Sequence, residues 1–174
     1  MSKTKYQFED FLATVDDKDK DFIITNHEMM MQNGYKLKVQ FTKLYRFHIS
    51  YSQPKIKTVD GIILYFMLSD GKLMIRINAF NHAKYSDVIN RLPENIVMQI
   101  DKADTCKKSI DPQKCWQGCM GYDFHIRGKR YQKCICTCFL IEVDSESIPF
   151  LTEMIESESK ERLLSFETVF TLSK

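Results

Sequence analysis

Between residues 36 and 80 the chain alternates apolar and polar side chains with a period of two. Leu37, Val39 and Phe41 stand between Lys36, Lys38 and Gln40, and Tyr45, Phe47, Ile49 and Tyr51 stand between Leu44, Arg46, His48 and Ser50. Successive strand side chains point to opposite faces, so this pattern turns one apolar face toward a core. A helix would scatter the same residues around its circumference. Gln53-Pro54-Lys55 interrupts the run, and Ile62 to Leu68 is a continuous apolar stretch that reads as a central strand. Asp70-Gly71 then makes a hairpin turn into Leu73, Ile75, Ile77 and Ala79. Residues 36–80 are expected to form an antiparallel sheet of about four strands.

Helical spacing flanks this sheet. Tyr6, Phe8, Phe11 and Leu12 suit a short amphipathic helix, followed by the charged link Asp16-Asp17-Lys18-Asp19-Lys20. A second helix is expected from about Asp19 to Gln32, with Phe22, Ile23, Met29 and Met30 as its stripe and Asn33-Gly34 as its stop. The run Met29-Met30-Met31 is read as core and boundary packing. Tyr85, Val88, Ile89 and Leu92 mark a helix at about 83–92, and Pro93 opens the next, which carries Ile96, Val97 and Ile100. A hairpin turning at Arg127-Gly128-Lys129 follows, with a second strand running from Arg130 to about Val143. Ser147 and Pro149 start a last helix with Ile148, Leu151 and Ile155 inward, while Glu153, Glu156, Glu158 and Glu161 read as its solvated face. The expected fold class is α+β. An antiparallel sheet carries helices on one face, and a C-terminal Cys-bearing hairpin and helix complete it. The organisation reads as a sheet-and-helix part over 1–104 and a Cys-rich part over 105–174, packed as one domain.

With 174 residues, 44% of them hydrophobic, and only six Gly and four Pro, the chain can build a core without disulfides. The same figures exclude a disordered or fibrous protein. No apolar leader follows Met1-Ser2-Lys3-Thr4-Lys5-Tyr6, and Ile62 to Leu68 falls far short of the roughly 20 residues a spanning helix needs. A cytoplasmic chain with reduced thiols is therefore expected, with no membrane partner. The net charge of +2 is too small to argue for nucleic acid, and it hides a cancellation. Residues 102–138 hold eight Lys/Arg and three acids, whereas 139–174 hold three Lys/Arg and eight acids. The plain reading is that the two segments neutralise each other.

All six cysteines fall in Cys106-x8-Cys115-x3-Cys119-x14-Cys134-x-Cys136-x-Cys138. Zinc takes four thiolate or imidazole ligands, and a pair such as Cys115-x3-Cys119 on a tight loop suits it. Cys106, Cys115 and Cys119 lie among Lys107, Lys108, Gln113, Lys114 and Gln117, where burial as small hydrophobes explains them poorly. Cys136 and Cys138, beside Ile135, Phe139 and Ile141, suit packing better. In an extended strand Cys134 and Cys138 would be about 13 Å apart and could not share one ion. A turn at Arg127-Gly128 sets Cys134 opposite Gly121, and a turn at Gly128-Lys129 sets Cys136 there instead. A structural zinc is the expected cofactor, its fourth ligand left open by the spacing. Packed or free thiols are the plainer alternative.

Two other chemistries can be read from the same segment. Trp116, Tyr122, Phe124 and Tyr131, beside Lys107, Lys108, Lys114, Arg127, Lys129, Arg130 and Lys133, could stack and neutralise a nucleic acid. His125 could pair with a Cys as a nucleophile or redox thiol. His27, His48 and His82 are scattered, and there is no Gly-rich phosphate loop or ordered Ser-His-Asp set. No catalytic residue is assigned. The chain reads as a non-enzymatic binding module whose partner the sequence does not specify.

Leu73-Met74-Ile75-Arg76-Ile77-Asn78-Ala79-Phe80, Tyr85, Leu92-Pro93, Cys106-Lys107-Lys108, Cys115, Cys119, Gly121-Tyr122-Asp123-Phe124, Tyr131-Gln132-Lys133-Cys134, Phe139 and Ser147-Ile148-Pro149-Phe150 form a further pattern. Over roughly residues 20–160 it resembles a family of small uncharacterised Cys-containing proteins of Gram-positive anaerobic bacteria. The resemblance implies no activity. It implies that Cys106, Cys115, Cys119 and Cys134 belong together as a set of four.

Overall fold

The computed structural model describes residues 6–42, 46–54, 56, 61–107, 111, 113, 115, 119 and 121–171. In chain order its elements are α1 (Phe8–Leu12), α2 (Asp17–Gln32), β1 (Lys36–Thr42), β2 (Arg46–Ser52), β3 (Ile62–Ser69), β4 (Lys72–Ile77), a 3-10 turn (His82–Tyr85), α3 (Ser86–Asn90), α4 (Glu94–Lys102), β5 (Tyr122–Ile126), β6 (Lys129–Lys133), β7 (Leu140–Glu142) and α5 (Ile148–Thr171). The fold is α+β. Two compact units divide the chain, Met1–Asn78 with Glu142–Asp144, and Ala79–Ile141 with Ser145–Lys174. The division expected at 104/105 falls inside the second unit.

The first unit is built on an antiparallel sheet in the order β1-β2-β3-β4-β7, one strand more than expected. Alternation sets its register: Val39 pairs with Ile49, Ile49 with Phe66, and Phe66 with Ile75. Ile49, Phe66 and Ile75 are completely buried along that row. Phe22 of α2 meets Phe66 edge-on at 5.7 Å, so the helix closes the apolar face of the sheet. The hairpin at Asp70-Gly71 forms as expected, with φ of 51° and 77°. Both central residues being left-handed is the turn whose twist matches the strands. α2 stops at Asn33-Gly34, where Gly34 has φ 76° and the Tyr35 N–H donates back to the Met30 carbonyl at 3.0 Å.

His27 of α2 stacks on Phe8 at 3.8 Å, and its Nδ1 meets the Tyr51 hydroxyl at 2.9 Å. Burial holds its pKa below the ordinary 6.5, against the opposing charges of Glu9 and Glu28. The unfolded imidazole therefore takes a proton before the folded one does. The stability His27 contributes is complete above about pH 6.5 and declines as pH falls below that value. Urea unfolding of His27→Gln between pH 7 and 5 is expected to show a shallower loss of stability on acidification than the parent chain. Equal slopes would remove His27 from the acid response.

In the second unit, α3 and α4 contribute Val88, Ile89, Ile96, Val97 and Ile100 to a core shared with the β5–β6 hairpin. The hairpin turns at Arg127-Gly128 (φ 50° and 84°), pairing Ile126 with Lys129 and Tyr122 with Lys133. Its second strand corrects the expectation of an extended run to Val143. β6 ends at Lys133, and Cys138 and Thr137 donate their N–H groups back to the Cys134 carbonyl at 2.9 and 3.2 Å. The cause is a distant partner: the Thr137 hydroxyl oxygen accepts the Asp104 N–H at 3.2 Å, which bends the segment over. Cys134 and Cys138 thus sit four residues apart on one helical turn, and the separation expected of an extended strand does not apply. Farther on, β7 joins the five-stranded sheet, where the Val143 N–H donates to the Leu73 carbonyl at 2.9 Å.

α5 brings a second correction. Its buried face runs Leu151, Met154 and Ile155, then continues through Glu158, Ser159 and Arg162. Glu158 is fully buried rather than on a solvated face. No helix among the described residues is long and apolar enough to cross a membrane.

Candidate functional site

No disulfide joins any of the six cysteines. Cys106 and Cys119 are buried, Cys115 and Cys134 half-buried, Cys136 exposed and Cys138 fully buried. Packing thus accounts for Cys138, as expected, but not for Cys136. Cys119 lies near the Gly121 backbone, Cys115 and Cys106, close enough for each to act on its charge. Burial pushes the Cys119 thiol pKa up, the neighbouring thiols add to that rise, and the Gly121 N–H opposes it.

Gly121 lies at the centre of this cluster. Its φ is +65°, and a Cβ there would come 2.5 Å from the Cys106 sulfur. The fourth cysteine of the expected set approaches through backbone pairing. Thr105 bridges Lys133, the Cys106 N–H donates to the Gln132 carbonyl at 3.2 Å, and the Cys134 N–H donates to the Asp104 carbonyl at 2.8 Å. Side chains alternate across such a bridge, so Cys106 and Cys134 emerge on the same side of it. The hairpin register, carried one step past Tyr122–Lys133, sets Cys134 opposite Gly121. This is the first of the two registers read from the sequence. Among the described residues no group of three or more His, Cys, Asp or Glu side chains is arranged to hold a metal ion.

The competing chemistries fare differently. His125 is exposed and lies four residues from Gly121 along the chain, about 13 Å at strand spacing, so it forms no pair with the thiol cluster. It borders instead a groove of about 270 Å³ with His82, Ser86, Asn90, Asp123 and Phe124. Much of that groove's polar lining is engaged by neighbouring groups. His82 Nδ1 meets the Ala79 carbonyl at 2.9 Å, Asn90 Nδ2 donates to the Ser86 carbonyl at 2.8 Å, and Asn90 Oδ1 accepts the Arg127 N–H at 2.9 Å. Asp123 is held by Arg130 and Gln132, and its carboxyl pKa is depressed to about 2, mainly by the Arg130 hydrogen bond.

For a nucleic acid, Tyr122, Phe124 and Tyr131 offer no stacking platform, since each is buried among the others and Phe139. Much of the basic charge is also partnered. Arg127 pairs with Glu94 at 3.0 Å, Lys129 with Asp101 at 2.6 Å, and Lys133 donates to the Asp101 and Ala103 carbonyls at 2.8 Å. Among the described residues, the acids that pair with Arg127, Lys129 and Arg130 belong to α4 and β5, not to the acidic last helix that the sequence suggested. Trp116, Lys108 and Lys114 lie outside the described residues.

No family model matches this chain, and no curated protein or solved structure matches it. The resemblance noted in the sequence rests on its motifs alone.

A polar centre that sequence reasoning missed surrounds Glu158. Its Oε1 accepts from Arg162 Nε at 2.7 Å and Asn81 Nδ2 at 3.1 Å. Its Oε2 accepts from the Asn81 N–H at 2.9 Å and the Tyr85 hydroxyl at 2.8 Å. The Arg162 guanidinium lies over the Phe80 ring, 5.2 Å from its centroid. Burial first, and Glu158 second, raise the Tyr85 phenol far above its usual range, so Tyr85 remains a donor. The carboxylate clamps the turn that carries Asn81 and Tyr85. Helical spacing held the signal: Glu158 follows Leu151 by seven residues and Ile155 by three, which is the inward stripe.

Proposed function

We propose that Cys106, Cys115, Cys119 and Cys134 ligate a structural zinc ion, and that the protein is a cytoplasmic, non-enzymatic binding module. The close approach of Cys106 to Gly121, with Cys134 opposite Gly121 and Cys119 near Cys115 and Cys106, supports this reading. Buried thiols crowded together resist ionisation, because each thiolate repels the next. A divalent cation reverses that balance, and coordinated thiols lose their protons outright. The Gly121 N–H would favour the thiolate form of Cys119 further. Zinc would supply a cross-link from Cys106, Cys115 and Cys119 to Cys134 at the end of β6. Six free thiols fit a reducing compartment.

Native mass spectrometry with elemental analysis of the untagged protein tests the reading. One zinc per chain is expected, lost in Cys115→Ser and Cys119→Ser and retained in Cys136→Ser, whose thiol is exposed. Metal-free protein that keeps its full fold would overturn it.

A further inference from the structure

We infer that Gly121 is the positioning residue of the thiol cluster: its missing side chain makes room for the Cys106 sulfur beside the Gly121–Cys134 end of the hairpin. The metal readout below rests on the zinc reading; the thiol readout does not.

Two demands meet at this position. The left-handed φ of +65° disfavours any residue with a Cβ. The space demand is separate, because a Cβ would stand 2.5 Å from Cys106 Sγ, 3.2 Å from Cys106 Cβ and 3.5 Å from the Lys133 carbonyl oxygen. Gly34, Gly71 and Gly128 also have positive φ, at +76°, +77° and +84°, yet a Cβ on any of them meets nothing within 4 Å. Those glycines answer to their turns. Gly121 also answers to a sulfur.

A Cβ at 121 would force the Cys106 side chain out of its present position or move the backbone at 121. Either shift changes where the Cys106 sulfur stands relative to the hairpin. Gly121 precedes β5, and Cys106 lies beside the end of β6, so the residue also fixes how the 104–107 segment lies against the hairpin.

The test compares Gly121→Ala with Gly128→Ala in the full chain. Alanine at 128 carries the strain of a left-handed φ without the clash, so the difference between the variants reports the close approach. Cobalt(II) binding is followed by its thiolate charge-transfer absorption. The reactivity of Cys106 and Cys119 toward an alkylating reagent in metal-free protein is followed by peptide mass spectrometry. Gly121→Ala is expected to weaken cobalt binding by roughly 10–100-fold, the usual effect of losing an outer-shell support, and to expose Cys106 to labelling. Gly128→Ala is expected to match the parent in both. Equal metal affinity and equal Cys106 protection in the two variants would overturn the inference.

If neither the parent nor any variant binds cobalt, the zinc reading fails and labelling alone judges Gly121. If Gly121→Ala does not fold, the double variant Cys106→Ala with Gly121→Ala decides, since removing the sulfur removes the closest contact. Recovery of folding supports the inference, and a double variant as unstable as Gly121→Ala overturns it.

Discussion

Replacing Glu158 with alanine is expected to destabilise the protein by about 3–5 kcal/mol, the cost of breaking a buried ion pair from one side. Glu158 is fully buried and Arg162 nearly so, and the two are 2.7 Å apart on successive turns of α5. Removing the carboxylate leaves a guanidinium in the interior without its counter-charge. It also strips the Asn81 N–H, the Asn81 amide and the Tyr85 hydroxyl of a common acceptor. An unsatisfied buried donor costs about 1–3 kcal/mol by itself, so relaxation must absorb part of the total. Urea denaturation followed by circular dichroism measures the loss. The double variant Glu158→Leu with Arg162→Met should recover much of it, because exchanging a whole buried pair for apolar side chains is often neutral. A Glu158→Ala variant within about 1 kcal/mol of the parent would show that water reaches Arg162.

Phe139→Ala is expected to cost about 3–5 kcal/mol as well, by a different route. Phe139 is almost completely buried, with its ring 5.0 Å from Tyr122 and 5.4 Å from Phe124. Truncation leaves a cavity that these rings cannot fill by small adjustments, because other contacts hold both. Tyr122 accepts the Ala79 N–H through its hydroxyl at 3.0 Å, and Phe124 stacks on Tyr131 at 5.6 Å. Phe139→Leu keeps most of the volume and should cost much less, so the ratio of the two effects reports the cavity. Similar costs for both would point to lost ring geometry instead. The same rings explain why no nucleic-acid stacking surface forms here: they are a core.

Both expectations arise where local pattern and tertiary outcome part. Sheet and hairpins were legible because their causes are local. Ile49, Phe66 and Ile75 alternate with polar neighbours, and Asp70-Gly71 and Arg127-Gly128 each take the paired left-handed φ that a two-residue turn requires. The gathering of Cys106, Cys115 and Cys119 was partly legible, since a polar loop gave those thiols little reason to be buried. The end of β6 was not. Cys134 to Cys138 alternate like a strand, but Thr137 reaches Asp104 and the backbone bends to make that bond. Spacing along the chain cannot announce a partner more than 30 residues away.

From the sequence alone came the α+β class, the Asp70-Gly71 hairpin, two candidate registers for the hairpin at Arg127-Gly128-Lys129, and the segment where the thiols concentrate. Each follows from interactions between near neighbours: pleat alternation, turn conformation and helical spacing. Only the tertiary structure decided that Glu158 lies inside, that the basic side chains are matched by α4 and β5, and that Gly121 stands against the Cys106 sulfur. A carboxylate, an ammonium or a bare glycine carries the same letter whether buried or wet. What settles its place is the group across from it, which exists only once the chain has folded.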